Sequence, residues 1–132
     1  MDPSAAPDLD VLVVDGANVV GSRPDGWWHD RPGAAARLHA RLTGTPALAA
    51  NVVLVLEGRA RAGVPEGVTG ALEVVHAGGE GDDRIVAEVD RAVADGRAVA
   101  VVTADRGLSA RVEPRATVLR PGWLLGRIEG NG

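Results

Sequence analysis

Short apolar runs alternate along the chain with segments in which apolar residues recur every three or four positions. Runs of this kind predict buried strands, and they lie at Leu9–Val14, Asn51–Leu56, Ala71–Val75, Ala98–Val102 and, more weakly, Ala116–Leu119. The helical spacing lies at Gly33–Leu42, from Asp82 to Val93, at Arg106–Val112 and from Pro121 onward. This alternation predicts a three-layer α/β domain with a mainly parallel sheet of four to five strands.

Two stretches carry no such pattern. Gly21–Pro32 is predicted to be a loop that contains Trp27 and Trp28, and Gly58–Gly70 is rich in glycine, proline and arginine, which favours a mobile flap. The sequence has no repeat and no linker long enough to divide it. We therefore expect one domain over residues 1–132, with residues 1–8 flexible.

Composition narrows the classes of function. Hydrophobic residues make up 45% of the 132 positions, but the only aromatic residues are three tryptophans, so we expect an aliphatic core, as in a buried parallel sheet. The absence of cysteine excludes disulfides, thiol catalysis and zinc–thiolate sites. A net charge of −4 provides no broad basic field for DNA. Without a signal-peptide pattern or an apolar run of roughly 20 residues, the chain is expected to be cytoplasmic and to have no membrane partner.

Acidic residues follow the predicted strands. Asp15 follows the first strand, Glu57 the second and Asp105 the fourth, while a Gly-Gly-Glu-Gly turn after the third leads to Asp82 and Asp83. Because the carboxyl ends of parallel strands share one edge of the sheet, we expect these carboxylates to converge there. If the strand order is 3-2-1-4-5, Asp15 and Asp105 flank the point where the connections reverse direction, and open α/β sheets bind their ligands at that point.

Converging carboxylates indicate a metal site. They repel one another by roughly a few kcal/mol at a protein-like dielectric, so they stay ionised together only around a cation. Oxygen ligands, without cysteine or a suitably spaced histidine, favour Mg²⁺ or Mn²⁺ over zinc. Such an ion suits phosphodiester hydrolysis, because it lowers the pKa of a bound water and neutralises charge on the phosphate. A glycosidase also uses paired carboxylates but needs only two of them.

Three acidic motifs stand in order along the chain. They read Val-Asp-Gly-Ala-Asn-Val at 14–19, Gly-Asp-Asp-Arg-Ile-Val at 81–86 and Val-Thr-Ala-Asp-Arg-Gly-Leu at 102–108. Together they resemble the motifs of PIN-like nucleases, most closely those of the NYN branch that includes the bacterial YacP-like proteins, and the resemblance spans roughly Leu9 to Arg127. It implies a Rossmann-like, PIN-type domain and metal-dependent hydrolysis of RNA.

The resemblance also implies roles for the acidic residues. Asp15, Asp83 and Asp105 would be the catalytic residues, each binding the metal ion or a metal-bound water. Glu57 is a further candidate ligand, in a position where the family usually has aspartate, and Asp82 is another. Helix capping offers a plainer interpretation of Asp82 and Asp105, and we prefer Asp83 to Asp82 as a ligand for this reason. Asp15 could likewise form only a turn.

Candidate substrate-binding residues lie near the same edge. The resemblance implies that Asn18 orients the first aspartate or contacts phosphate, and that Thr103 supplies a hydroxyl to the metal or to one of its ligands. Arg59 and Arg106 lie in predicted loops and could meet phosphate, although solvated loop charges are the commoner case. Trp27 could stack on a base, or it could simply cover the edge of the sheet.

The leading interpretation is therefore a metal-dependent ribonuclease that uses Mg²⁺ or Mn²⁺ and acts on RNA. The small size and acidic surface leave open a nucleotide pyrophosphohydrolase with the same metal site. Glu57 and the lack of a basic patch leave open a non-catalytic, Rossmann-like binding module. Whether the chain forms a homodimer is also left open.

Overall fold

The computed structural model describes residues 9–24, 26–45 and 48–129, and the expectation that residues 1–8 are flexible lies outside them. The strands are β1 (Val11–Asp15), β2 (Asn51–Leu56), β3 (Gly67–Thr69), β4 (Leu72–His76), β5 (Val99–Val102) and β6 (Thr117–Leu119). The α-helices are α1 (Gly16–Gly21), α2 (Arg31–Thr43), α3 (Gly81–Ala94), α4 (Arg106–Val112) and α5 (Pro121–Glu129), and 3-10 helices lie at Trp27–His29 and Gly58–Gly63. None of these helices is long and apolar enough to cross a membrane.

The described strands form one sheet in the order β3-β4-β2-β1-β5-β6. The parallel part, β4-β2-β1-β5-β6, has the predicted order 3-2-1-4-5. The sheet has six strands instead of the predicted four to five, because β3 adds to its edge. β3 pairs antiparallel with β4 across a turn in which Gly70 has a φ of 60°. β3 has three residues, all exposed, so it shows no alternation of buried and exposed positions that a sequence pattern could indicate.

The segment Gly58–Gly70, for which composition favoured a mobile flap, contains regular structure. It contains a 3-10 helix and β3, and it packs against α2. Arg61 ties it down, because its Nε donates to the Gly58 carbonyl at 3.0 Å and its Nη1 to the Ala77 carbonyl at 3.4 Å. At Gly63 a Cβ would overlap the Pro32 carbonyl oxygen, so a glycine is required for this close packing.

Aliphatic side chains fill both faces of the sheet. α1, α2 and α5 cover one face, where Leu12 and Leu54 are fully buried, and α3 and α4 cover the other, around Ile85 and Leu108. Burying such a side chain contributes roughly 1.5–3 kcal/mol. The prediction of a three-layer α/β fold with an aliphatic core is confirmed.

β1 is the strand at which the connections reverse direction, since its neighbours are β2 and β5. α1 begins directly after it, and the sequence pattern did not predict this helix because it has only six residues and a glycine at each end. A Cβ at Gly16 would lie 2.7 Å from the Val55 carbonyl oxygen, so glycine is needed for the helix to start this close to β2. Asp15 is thereby held at the switch point of the sheet.

Candidate active site

Asp15 ends β1 and is almost fully buried, with 7% of its surface exposed. Its Oδ2 accepts a hydrogen bond from Thr103 Oγ1 at 3.0 Å, and its Oδ1 accepts one from the backbone N–H of Asn18 at an N–O distance of 3.3 Å. Burial raises the pKa of Asp15 to about 6 despite these hydrogen bonds, and the charges of Asp82 and Glu57 add to the increase. Ionising this carboxyl group therefore costs free energy, and a neighbouring cation would remove that cost.

Thr103 and Asn18 tie the turn between β5 and α4 to Asp15. Thr103 is 1% exposed, and its hydroxyl accepts a hydrogen bond from the backbone N–H of Asp105 at 3.1 Å while it donates to Asp15. The side-chain oxygen of Asn18 accepts one from the N–H of Ala104 at 2.7 Å. Through these bonds Thr103 and Asn18 hold the turn that carries Asp105 against Asp15.

Asp105 combines a capping bond with a place at the acidic edge. Its Oδ1 accepts a hydrogen bond from the Leu108 N–H at 2.8 Å, which is the N-cap that the plainer interpretation proposed. Asp105 is exposed at the carboxyl end of the sheet, and its charge helps to raise the pKa of Asp82. The cap therefore does not remove Asp105 from the group of interacting carboxylates.

Glu57 follows β2 and reaches the N-terminus of α3. Its Oε2 accepts a hydrogen bond from the Gly81 N–H at 2.8 Å. A Cβ at Gly81 would lie 3.2 Å from the carboxyl carbon of Glu57, so a larger residue there would crowd the carboxylate. The positive end of the helix dipole also favours a negative charge at this position.

Asp82 and Asp83 have different surroundings, and the preference for Asp83 as a ligand stays a prediction. The N-cap position of α3 is Glu80, two residues before the expected cap at Asp82, so Asp82 does not cap the helix. Asp82 is half-buried, and its pKa is raised first by burial and then by the charges of Asp105 and Glu57, while Arg111 opposes the increase. The Asp83 side chain is 75% exposed and forms an ion pair with Arg111, with Arg111 Nη2 at 3.0 Å from Asp83 Oδ1.

We define the edge cluster as Asp15, Glu57, Asp82 and Asp105. Its donors are carboxylate oxygens, the ligands that Mg²⁺ and Mn²⁺ prefer. Among residues 9–24, 26–45 and 48–129, no three acidic or histidine side chains meet closely enough to hold an ion directly. Mg²⁺ is commonly bound through one or two carboxylates and several waters, so the edge cluster fits it in donor type and in charge.

A cleft opens beside the edge cluster, between α1, the start of α2 and the end of β2. Its volume is about 440 Å³, and its lining includes Gly16, Trp27, Arg31, Leu56, Glu57 and Glu80. We call it the Trp27 cleft. The guanidinium carbon of Arg31 lies 5.3 Å from the centre of the Trp27 ring, and Trp28 meets that ring edge-on at 6.0 Å between centroids. Trp27 is half-buried, whereas Trp28 is 53% exposed.

The predicted phosphate-binding arginines lie around this site. Arg106 is exposed as the first residue of α4, next to Asp105, and Arg59 is exposed on the 3-10 helix whose residues Gly58 and Ala60 line the Trp27 cleft. Neither position shows what these side chains bind, so both stay predictions.

Sequence reasoning missed Arg31, Glu80 and Arg111. Glu80 lies within the Gly-Gly-Glu-Gly turn that precedes the acidic motif, and this position could have signalled it. Arg31 and Arg111 reach the site through the packing of their helices, and no spacing in the sequence indicates that.

The comparisons with known proteins bear on the fold. No family model and no curated protein sequence matches the chain. Among solved structures, the chain is similar to the crystal structure of Rae1 (YacP) from Bacillus subtilis, with a TM-score of 0.71 and 18% sequence identity. The match covers 93% of this chain and 77% of that chain. At this identity the likeness establishes a shared fold.

Proposed function

We propose that this protein is a metal-dependent ribonuclease that hydrolyses phosphodiester bonds at the edge cluster. The observation that carries the proposal is the grouping of Asp15, Glu57, Asp82 and Asp105 at one edge, where burial and then the charges of neighbouring carboxylates raise the pKa values of Asp15 and Asp82. Support comes from the motifs, which resemble those of the NYN branch, and from the likeness in fold to YacP.

Each residue of the edge cluster has a distinct part in the proposed site. Asp15, fixed by Thr103 and Asn18, would bind the ion from the buried side, and Asp82 and Asp105 would face it from the exposed side. Glu57, anchored at the start of α3, adds negative charge and could accept hydrogen bonds from metal-bound waters. A bound Mg²⁺ or Mn²⁺ would supply an activated water and neutralise charge on the phosphate.

Cleavage of single-stranded and of structured RNA, with and without Mg²⁺ or Mn²⁺, tests the proposal. We expect activity that requires the metal and that falls roughly 100-fold or more in Asp15→Asn and Asp105→Asn, the scale of losing a group that stabilises transition-state charge. Asp90→Asn is the matched control, because Asp90 is an exposed carboxylate of α3 that pairs with Arg115. It should retain activity within about twofold.

The outcome that contradicts the proposal is RNA cleavage at an equal rate in Asp15→Asn and in the unmodified chain. A panel of nucleoside triphosphates under the same conditions tests the pyrophosphohydrolase alternative, which release of pyrophosphate without RNA cleavage would support. Calorimetric titration with Mn²⁺ addresses the binding-module alternative, which predicts no affinity up to millimolar concentration.

A further inference from the structure

The Trp27 cleft has the form of a small-molecule site rather than of a packing defect. Its volume of about 440 Å³ lies in the range of ligand pockets, roughly 300–1,000 Å³. Its wall at Glu57 belongs to the edge cluster, so an occupant would lie directly beside the proposed site of hydrolysis. Nothing in the proposed cleavage mechanism accounts for this cleft.

The apolar part of the cleft suits a flat aromatic ring. Val20, Ala35, Leu56 and Ala60 line it together with the indole of Trp27. The indole is held in place, since Trp28 packs edge-on against it and the guanidinium carbon of Arg31 lies 5.3 Å from its ring centre. A fixed aromatic ring loses little entropy on binding, and nucleobases stack on such rings regardless of their identity.

The polar part of the cleft contains two carboxylates, Glu57 and Glu80, beside the guanidinium of Arg31, which lies over the Trp27 ring. Glu57 and Glu80 are carboxylates and therefore accept hydrogen bonds but cannot donate them. Glu57 uses Oε2 for the Gly81 N–H, which leaves Oε1 for another donor. Adenine, cytosine and guanine carry exocyclic amines that donate, whereas uracil presents carbonyl oxygens at the corresponding positions.

We infer that the Trp27 cleft binds one unpaired nucleobase of the RNA, adjacent to the phosphate that is cleaved, and that it favours bases carrying an exocyclic amine. The position relative to the cleaved phosphate rests on the proposed function; the binding of a base does not. A base within a duplex has its faces stacked and its edge paired, so the cleft selects single-stranded or extruded nucleotides.

Nucleosides are the probe, because they contain no phosphate and their binding depends on neither metal nor cleavage. The chain has three tryptophans, Trp27, Trp28 and Trp123, so the indole N–H signals in a ¹⁵N–¹H correlation spectrum report on each ring separately. Adenosine, cytidine and guanosine should shift the Trp27 signal saturably and move the Trp123 signal little. Uridine should bind most weakly.

Variants separate the cleft from its surroundings. Ala60→Leu fills the cleft and leaves Trp27 intact, and Trp27→Leu removes the stacking ring; each should weaken nucleoside binding about tenfold or more. Ala87→Leu, the matched control at an exposed alanine of α3 that does not line the cleft, should bind within about twofold of the unmodified chain. Thermal unfolding of each variant checks that it folds.

The inference is overturned if no nucleoside shifts the Trp27 signal, or if Ala60→Leu binds as well as the unmodified chain. Equal binding of uridine overturns the preference for amines. Nucleoside binding together with a failure to cleave RNA refutes the proposed function and leaves the base site standing. RNA cleavage without nucleoside binding overturns the base site and leaves the proposed function standing.

Discussion

Asp15 and Glu88 are both buried carboxylates, but their surroundings are opposite. Glu88, on the face of the sheet covered by α3, is 6% exposed, and its Oε2 lies 2.9 Å from Arg84 Nε and 3.7 Å from Arg91 Nη2. Asp15, at the carboxyl edge, is 7% exposed, and within the described residues it accepts hydrogen bonds from two neutral groups, the Thr103 hydroxyl and the Asn18 N–H, while Asp82 and Glu57 are nearby negative charges.

This contrast shows that the charge of Glu88 has a structural role, whereas the charge of Asp15 is available to a ligand. Glu88 is neutralised within the protein, so it can support the fold but has no charge to offer a ligand. Asp15 is left uncompensated in the same fold, and perturbed carboxylates of this kind cluster at functional sites. Substitutions at the two positions should therefore change stability in opposite directions.

The largest expected effect on stability is that of Asp15→Asn, which should stabilise the fold at neutral pH. The folded pKa is raised from 3.8 to about 6, so the native ionisation of Asp15 costs at most about 3 kcal/mol at neutral pH. Loss of the weak bond from the Asn18 N–H reduces the gain, and we expect about 1–3 kcal/mol. Urea unfolding in the presence of a chelator measures it.

The stabilisation expected of Asp15→Asn should depend on pH. Protonation of Asp15 stabilises the fold fully below pH 3.8, and this contribution is lost as the pH rises through about 6. The stability difference between Asp15→Asn and the unmodified chain should therefore be largest above pH 6 and shrink as the pH falls. A difference that does not vary with pH, or a destabilised Asn variant, would show that Asp15 is compensated like Glu88.

Glu88→Ala should destabilise the fold by about 2 kcal/mol, since it removes a charged hydrogen bond and leaves Arg84 without its carboxylate partner. Arg84 is itself 33% exposed, so water limits the loss. Glu88→Gln is the control that keeps the shape of the side chain and loses only its charge. Its free energy of unfolding should lie between those of the unmodified chain and Glu88→Ala. An unchanged unfolding midpoint in Glu88→Ala would contradict the structural role that the comparison with Asp15 gives to Glu88.

Thr103→Val should lower stability by about 1 kcal/mol, because the buried hydroxyl links Asp15 to the backbone of Asp105. If Thr103 acts by positioning Asp15 and Asp105 through its hydroxyl, RNA cleavage should weaken in Thr103→Val and recover in Thr103→Ser, which keeps the hydroxyl. Equal losses of cleavage in Val and Ser variants would argue against the hydrogen bond as the cause.

The smallest effect should be that of Asp83→Asn, which breaks an exposed ion pair with Arg111 worth roughly 0–1 kcal/mol. Cleavage should stay within about twofold of the unmodified chain. Asp82→Asn, one residue away on the same helix, should reduce cleavage by at least about tenfold, as expected for a residue of the edge cluster. A larger loss in the Asp83 variant than in the Asp82 variant would support the preference stated from the sequence.

The sequence predicts the fold and the approximate place of the site, because both depend on strand order. Asp15, Glu57 and Asp105 follow strands directly, so the parallel topology brings them to one edge. The difference between Asp82 and Asp83 depends on how α3 packs, since neighbouring helical residues point about 100° apart and only the packing on the sheet decides which of them faces the edge. Trp27 and Arg31 meet through the packing of a loop and a helix start, which no periodicity encodes.

The sheet ends at both sides in a strand of only three residues, β3 at Gly67–Thr69 and β6 at Thr117–Leu119. Unpaired backbone at a sheet border is what allows foreign strands to add and filaments to grow, and very short border strands are one way natural proteins prevent this. Gly70 and Pro121, which follow these strands closely, limit their extension. The two short border strands thus offer little backbone to which a further strand could add.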